Sequence, residues 1–133
     1  LKPTQFVLGI GCRRDTAFEN IDRAIRQSLL KLQIDISDID MIASIDVKKD
    51  EPGIKEFCER NRIDFVTYTA DELMAVQGEF SASQFVSEHV GVDNVCERAA
   101  VLACSRECNK AGKLVYKKHK YDRVTVAAAR YPD

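Results

Sequence analysis

The first segment with side chains suited to chemistry is GIGCRRD, residues 9–15. Gly9 and Gly11 would let a ligand approach the backbone, and a helix starting after the segment would offer free N–H groups to an anion. Arg13 and Arg14 carry planar guanidinium groups, and each can bind a carboxylate through two hydrogen bonds. An anion site and a tight turn with solvated arginines both explain this pattern. The segment is not a dinucleotide-binding fingerprint, because the third glycine of that motif is missing.

Cysteine is the second residue type to consider. Cys12 would become a nucleophile if the nearby helix start lowered its pKa, but His89 and His119 are distant in sequence, so no histidine partner is evident. The chain has 5 cysteines and no C-x-x-C pair, which predicts neither a disulfide framework nor a zinc knuckle. Cys104 and Cys108 would share one helix face, a spacing that permits a metal or redox pair. Reduced thiols, several of them in the core, are the favoured interpretation.

The second polar segment is SIDVKKDEPG, residues 44–53, which combines three acids with two lysines. Such a mixture can supply a general base, an electrostatic clamp or a self-neutralising solvent loop. Asp46 is the candidate base, and Lys48 and Lys49 are candidates for binding an anion. Thr67, near the end of a later apolar run, adds a hydroxyl group.

Alternating strand and helix signals place both segments. Apolar runs predict buried strands, and periodic apolar positions or capping residues predict helices between them. The predicted strands are 5–10, 41–45, 65–69, 113–118 and 124–129, and the predicted helices are 16–32, 52–62, a short one from 71, 84–90 and 95–103. This order predicts a three-layer α/β/α sandwich with a mixed, mostly parallel five-stranded sheet. Ligands bind outside the carboxyl ends of parallel strands in such sheets, so the two polar segments should meet there.

Composition limits the classes of function. The chain has 133 residues, 20 Lys+Arg and 21 Asp+Glu, and 45% of its residues are hydrophobic, as in a single soluble domain. The net charge of −1 argues against a general nucleic-acid binder, and no apolar run approaches the ~18 residues of a membrane span. A cytoplasmic location is expected from the reduced thiols. Because the chain opens on Leu1 and not on Met, we expect residues 1–133 to be one domain cut from a longer protein.

Charge is unevenly distributed along the chain. Residues 63–97 contain acidic side chains and no Lys or Arg, whereas residues 110–123 are strongly basic. A solvated strand face explains the basic cluster most simply. The alternative is a surface that attracts an acidic ligand or another domain.

Several ordered motifs together resemble one family. They are GIGCR at 9–13, SID-x-KKDEPG at 44–53, F-x-TY at 65–68, G-x-FS at 78–81, GV-x-NVCERAA at 91–100 and VTVA at 124–127. This set, which covers essentially the whole chain, resembles the CbiG/CobE C-terminal domain family of cobalamin biosynthesis. An anion- or nucleotide-binding domain outside that family would rest on the G-x-G turn alone.

The resemblance implies an α/β/α domain found in two contexts. In CbiG-like proteins it would be the last domain of a cobalt-precorrin-5A hydrolase, which opens a corrinoid lactone with loss of acetaldehyde. In CobE-like proteins it would stand alone as a corrinoid-binding or assembly module. The implied partners are a cobalt-corrinoid pathway intermediate and the N-terminal and middle domains of a parent protein, with no nucleic acid, no membrane and no cofactor beyond the cobalt of the substrate.

The resemblance also implies that the two polar segments bind a corrinoid. A corrinoid carries many acetate and propionate groups, so a cluster of cations would have carboxylates to bind. Asp46 is then the candidate catalytic base. The candidate substrate-binding residues are Gly9, Gly11, Cys12, Arg13, Arg14, Ser44, Lys48, Lys49, Thr67, Asn94 and Glu97.

Overall fold

The computed structural model describes residues 5–76, 95–108 and 112–131. The strands are β1 (Phe6–Cys12), β2 (Ile39–Ile45), β3 (Asp64–Tyr68), β4 (Lys113–Tyr121) and β5 (Val124–Arg130). The helices are α1 (Phe18–Leu32), α2 (Pro52–Asn61), α3 (Ala70–Met74) and α4 (Val95–Cys108), and short 3-10 turns cover Ile36–Asp38 and Asp46–Lys48. Within these ranges, no helix is both long enough and apolar enough to span a bilayer.

The five strands form one mixed sheet in the order β3-β2-β1-β5-β4. β1 pairs in parallel with β2, β2 pairs in parallel with β3, and β5 is antiparallel to both β1 and β4. Four strands therefore run in one direction and β5 in the other, which confirms the predicted mixed, mostly parallel sheet. We use the name carboxyl edge for the side of the sheet where β1–β4 end and where the β4–β5 turn lies.

Helices cover both faces of the sheet, because side chains alternate between the two faces along each buried strand. Leu8 and Ile42 point towards α1 and α2, where they pack with Phe57 and the apolar stripe of α1. Val7 and Ala43 point to the opposite face and pack against α3 and α4. The predicted three-layer sandwich is therefore confirmed.

The contact between α4 and β1 depends on Gly9. A Cβ at Gly9 would lie 1.7 Å from the carbonyl oxygen of Cys96 and 3.1 Å from the backbone nitrogen of Ala100. No side chain fits in that space, so the first turn of α4 lies directly on the backbone of β1. This contact brings the start of α4 to the carboxyl half of the sheet.

The predicted start of α1 is wrong. The sequence offers Asp15 or Thr16 as the helix cap, and Thr16 with Glu19 fits a capping box. The N-cap is instead Ala17, which makes no side-chain cap hydrogen bond. The Thr16 hydroxyl instead donates to the carbonyl oxygen of Arg13 at 2.6 Å. The preceding Asp15 has a left-handed backbone (φ 60°), so a tight turn uses the hydroxyl that the capping box would have needed.

Other boundaries differ by a few residues. α4 continues to Cys108 and β4 to Tyr121, beyond the predicted ends at 103 and 118. A capping box does form at Thr69, whose hydroxyl accepts from Glu72 N at 3.1 Å while its own N–H donates to Glu72 Oε1 at 2.8 Å. The sequence also offers Ser81 or Ser83 as a cap for the predicted helix 84–90 and Asn94 as a cap for α4. These residues lie outside the described part of the chain.

Candidate functional site

The GIGCRRD segment turns sharply after β1 at the carboxyl edge. The hydroxyl of Thr16 is buried and closes the turn on the carbonyl oxygen of Arg13. The N–H of Arg13 donates to the carbonyl oxygen of Arg123 at 3.0 Å, which links this turn to the β4–β5 turn. Arg13 and Arg14 are both exposed. The turn therefore holds the backbone rigidly and leaves two guanidinium groups facing solvent.

The SIDVKKDEPG segment lies beside this turn, as predicted. Asp15 N–H donates to Glu51 Oε1 at 2.8 Å, and Lys48 Nζ lies 3.6 Å from Glu51 Oε2. Only 17% of the Lys48 side chain and 8% of the Glu51 side chain are exposed, so this ion pair is partly desolvated. The pair is not a feature of a loop that merely faces solvent. It joins the two polar segments in one cluster.

Asp46 and Lys49 belong to the same segment. Asp46 is half-buried and begins a 3-10 turn, and its carbonyl oxygen accepts from the N–H of Lys49 at 3.0 Å. Lys49 is exposed. Both residues are close to Lys48 and Glu51 along the chain, and the assignment of Asp46 as the base stays a prediction.

Ser44 and Thr67 are neighbours in adjacent strands, β2 and β3. Ser44 is fully buried and its hydroxyl donates to the carbonyl oxygen of Ile10 at 2.6 Å, which braces β2 against β1. Thr67 is half-buried. The geometry gives Ser44 a bracing role beneath the edge, and a contact of either hydroxyl with a ligand stays a prediction.

Cys12 is the last residue of β1 and pairs with Val124. Burial raises the pKa of its thiol to about 11, although the nearby Lys48 ammonium acts in the opposite direction. The hypothesis of a thiol with a lowered pKa is therefore wrong, because desolvation outweighs the cationic neighbours. Cys12 is a neutral, half-buried thiol near neutral pH.

The two glycines of the first turn have packing roles. The space beside Gly9 is filled by the backbone of α4 and is not open to a ligand. A Cβ at Gly11 would lie 2.7 Å from the Thr125 hydroxyl oxygen, which in turn donates to the carbonyl oxygen of Gly11 at 3.4 Å. Both glycines therefore let neighbouring elements approach β1 closely.

Glu97 is a charged residue with no exposed surface. It lies in the first turn of α4, and its Oε2 accepts from the backbone N–H of Lys118 in β4 at 2.7 Å. The register of β4 against β5 shifts between Tyr116 and His119, so the carboxylate holds the strand at this irregular stretch. Direct contact of Glu97 with a substrate stays a prediction, and Asn94 lies outside the described residues.

Two residues of this site, Glu51 and Arg123, do not stand out in the sequence. Glu51 is one of three acids in a charged segment, although its carboxylate connects both polar segments. Arg123 has a left-handed backbone (φ 66°) in the β4–β5 turn, and its guanidinium donates to the carbonyl oxygen of Arg14 at 3.2 Å. The basic hairpin and the basic first turn therefore form one cationic surface. The one feature of the sequence that could have indicated Arg123 is its position as a basic residue in the tight turn of the predicted hairpin.

The cysteines are all free, as favoured from sequence. Cys104 and Cys108 do share one face of α4, where the Cys108 thiol donates to the carbonyl oxygen of Cys104 at 3.1 Å. In the part of the chain that the structure describes, no group of three or more His, Cys, Asp or Glu side chains is arranged to hold a metal ion.

Residues 6–129 match the protein family described as Cobalamin synthesis G C-terminus. The chain belongs to this family. It is 37% identical over 102 residues to a cobalt-precorrin-5A hydrolase of Salmonella typhimurium (strain LT2), covering 77% of this chain and 29% of the relative. It is 31% identical over 134 residues to a probable cobalt-precorrin-5A hydrolase of Methanocaldococcus jannaschii, covering 97% of this chain and 42% of the relative. The chain thus spans less than half the length of these relatives.

The fold of this cobalamin synthesis family member also matches solved structures. The crystal structure of CobE, a protein from the cobalamin biosynthetic pathway, superposes with a TM-score of 0.89 at 26% identity and covers 97% of this chain and 92% of that chain. The cobalamin biosynthesis protein chiG from Agrobacterium tumefaciens has a TM-score of 0.73 at 28% identity and covers 96% of this chain and 99% of that chain. The proteins similar to this chain therefore include both cobalt-precorrin-5A hydrolases and CobE.

Proposed function

We propose that this chain is the corrinoid-binding domain of a cobalt-precorrin-5A hydrolase and takes part in opening the lactone of the substrate with loss of acetaldehyde. The observation that carries the proposal is the convergence of Arg13, Arg14, Lys48 and Arg123 at the carboxyl edge of a member of this family. Cations that are far apart in the sequence lie together at the position where open α/β sheets bind ligands.

The charge of this surface suits a corrinoid intermediate. Such a molecule presents several carboxylates around a large ring, and guanidinium groups bind carboxylates with two parallel hydrogen bonds. Arg13 and Arg14 are exposed and available for such contacts, and Lys48 provides a more buried ammonium group. We therefore infer that the macrocycle is held by its acidic side chains along this edge.

Lactone opening adds water across the ester bond. A base removes a proton from the water, the resulting oxygen bonds to the carbonyl carbon, and the ring oxygen leaves as the C–O bond breaks. Donors near the carbonyl oxygen must stabilise the negative charge that forms there. Asp46 is our candidate for the base, and the Lys48 ammonium group is our candidate for the donor. The alkoxide freed by the ring opening becomes the carbonyl of acetaldehyde as the C–C bond between its carbon and the macrocycle breaks. The macrocycle keeps that electron pair and takes up a proton.

The test supplies anaerobically prepared cobalt-precorrin-5A to this chain and measures corrinoid binding and acetaldehyde release separately. Wild-type protein should bind the corrinoid, and a double variant Arg13→Gln/Arg14→Gln should bind it at least about tenfold more weakly. The matched control is Arg62→Gln, which removes an exposed arginine at the end of α2, just before β3 begins and therefore at the opposite end of the sheet from the carboxyl edge. Equal binding by the double variant and the control would contradict the proposed surface.

Catalysis is tested by Asp46→Asn. This variant should retain binding and release acetaldehyde at least about a hundredfold more slowly, because it keeps the shape of the side chain and loses the base. Unchanged acetaldehyde release would refute the role of Asp46.

A second candidate function is a corrinoid-binding or assembly module without catalysis. The observation that favours it is the CobE structure, of which this chain covers 92%, so a protein of nearly this extent is known from the same pathway. Corrinoid binding without acetaldehyde release by this chain, together with release by a full-length relative, would support the module. Release by the chain itself would support the hydrolase.

A further inference from the structure

Glu51 is the charged residue that connects the two polar segments of the carboxyl edge. Its backbone is fixed, since its N–H donates to the carbonyl oxygen of Lys48 at 3.0 Å and its carbonyl oxygen accepts from Lys55 N at 3.1 Å. Its side chain reaches away from its own helix, and each carboxylate oxygen has a different partner. Oε1 accepts from Asp15 N–H at 2.8 Å, and Oε2 faces Lys48 Nζ at 3.6 Å.

The position of Glu51 makes these contacts unusual. It is the N-cap residue of α2, yet its side chain makes no cap hydrogen bond to that helix. A carboxylate this buried carries a desolvation cost that ion pairing and hydrogen bonding must offset. The partner N–H belongs to Asp15, which has the left-handed backbone of a tight turn, a conformation that Asp adopts more readily than most residues with a Cβ. The Glu51 carboxylate thus helps to hold this turn in place.

We propose that Glu51 is a positioning residue for the binding of a polycarboxylate ligand at this edge, acting through Lys48 and through the turn that presents Arg13 and Arg14. This inference rests on the proposed function, because the corrinoid supplies the carboxylates. Glu51 itself does not touch the ligand. It holds an ammonium group and two guanidinium groups in one arrangement, so that the ligand does not have to order them on binding.

The inference predicts the opposite sign from simple electrostatics. Glu51 is an anion inside a cationic surface, so removing its charge should by Coulomb attraction alone tighten the binding of an anionic ligand. If Glu51 positions the cations, the variant Glu51→Gln should bind more weakly despite its more positive surface. The sign of the change therefore separates the two roles.

The experiment measures the Kd for anaerobic cobalt-precorrin-5A in wild-type protein, Glu51→Gln, Lys48→Met and the double variant. We expect the Kd of Glu51→Gln to rise about tenfold, which corresponds to about 1.4 kcal/mol. The same substitution should have less effect when Lys48 is already Met, because Glu51 acts partly through that residue. The matched control is Glu56→Gln on α2, whose exposed carboxylate pairs with Arg60, and it should leave the Kd unchanged.

A structural readout excludes a general loss of fold. Hydrogen exchange of the Asp15 amide should accelerate in Glu51→Gln while amides of β1 keep their protection. Glu51→Asp, which keeps the charge, should recover part of the lost affinity. Unchanged or tighter binding by Glu51→Gln would overturn the inference, as would an equal effect of Glu51→Gln with and without Lys48. If Glu51→Gln does not fold, Lys48→Met alone decides: a Kd equal to that of wild-type protein overturns the inference.

The two proposals can fail separately. If wild-type protein does not bind the corrinoid, the proposed function fails, and the same variants are then titrated with tricarballylate, a small tricarboxylate. Weaker tricarballylate binding by Glu51→Gln than by Glu56→Gln would still support positioning, and equal or absent binding would overturn it. If wild-type protein binds the corrinoid and Glu51→Gln binds it equally well, only the positioning role fails.

Discussion

Replacing Gly9 by Ala tests the contact that brings α4 to the carboxyl edge. The added Cβ would lie 1.7 Å from the carbonyl oxygen of Cys96 and 2.6 Å from its carbonyl carbon, and both are backbone atoms. No rotamer change relieves this overlap, so α4 and β1 must separate by about 1.5 Å to restore ordinary contact distances. Overpacking of a core typically costs about 1–3 kcal/mol. The separation also loosens the packing of Val7, Ala99 and Ala100, which are buried at 0% exposure. We therefore expect Gly9→Ala to lower the free energy of unfolding by at least about 3 kcal/mol.

Urea unfolding of wild-type protein and Gly9→Ala measures this loss directly. Domains of this size have unfolding free energies of about 5–15 kcal/mol, so the expected loss is large and Gly9→Ala should unfold at a much lower urea concentration. The matched control is Gly11→Ala, whose new Cβ would meet only the Thr125 side chain, at 2.7 Å, and that side chain can rotate. Gly11→Ala should lose about 1 kcal/mol or less. A Gly9→Ala protein within about 1 kcal/mol of wild type would refute the reasoning, because α4 would then have to accommodate a methyl group without strain.

Three further predictions concern one buried carboxylate and two thiols. Glu97→Ala should lower the free energy of unfolding, measured in urea, by about 3 kcal/mol, because the Lys118 N–H loses its acceptor. Glu97→Gln keeps an acceptor oxygen and should lower it clearly less. Equal losses in the two variants would contradict this role of Glu97. Cys12 should react slowly with iodoacetamide at pH 7.5 and faster as the pH approaches its pKa of about 11, and rapid reaction at pH 7.5 would contradict the burial argument. Cys96, whose pKa burial raises from 9.0 to about 12, stays protonated when folded but ionises when unfolded. The free energy of unfolding should therefore fall between pH 9 and 12, by up to about 1.4 kcal/mol per pH unit from this thiol, and Cys96→Ala should fall less steeply.

The parts of the fold that follow from short-range patterns could be predicted from the sequence. The apolar runs of β1 and β2 and the helix starting at Pro52 depend on residues close together in the chain, and their positions agree with the structure to within about two residues. Parallel strands end at one edge of the sheet, so the sequence also predicted that the two polar segments lie side by side. The prediction of a capping box at Thr16 was wrong, because the capping-box pattern considers only Thr16 and Glu19. It does not take into account that the preceding turn uses the Thr16 hydroxyl.

The parts of the site that depend on distant contacts could not be predicted. Glu51 meets Asp15 across 36 residues, and nothing in the loop sequence distinguishes this carboxylate from Asp46 or from any other acid nearby. The Arg123 guanidinium meets Arg14 across 109 residues. Burial decides the outcome at Glu51, whereas Arg14 and Arg123 are both exposed and meet because the first turn and the β4–β5 turn lie side by side. A charge that appears solvated in the sequence becomes part of an ion pair only once the layers are packed.

The arrangement of the carboxyl edge bears on which of the two functions this chain performs alone. The cationic surface is assembled from the turn after β1, the segment after β2 and the β4–β5 turn, all within this one chain. One backbone hydrogen bond and one hydrogen bond from the Arg123 guanidinium to a backbone carbonyl link the first and last of these. If the proposed function is correct, we therefore expect this chain to bind the acidic macrocycle with its own residues. Hydrolysis requires more, because the candidate base Asp46 is only half-buried, and a base works best where water is excluded and the surrounding dipoles are fixed. It follows that corrinoid affinity should belong to this chain, whereas the rate of acetaldehyde release should depend on whatever covers its carboxyl edge.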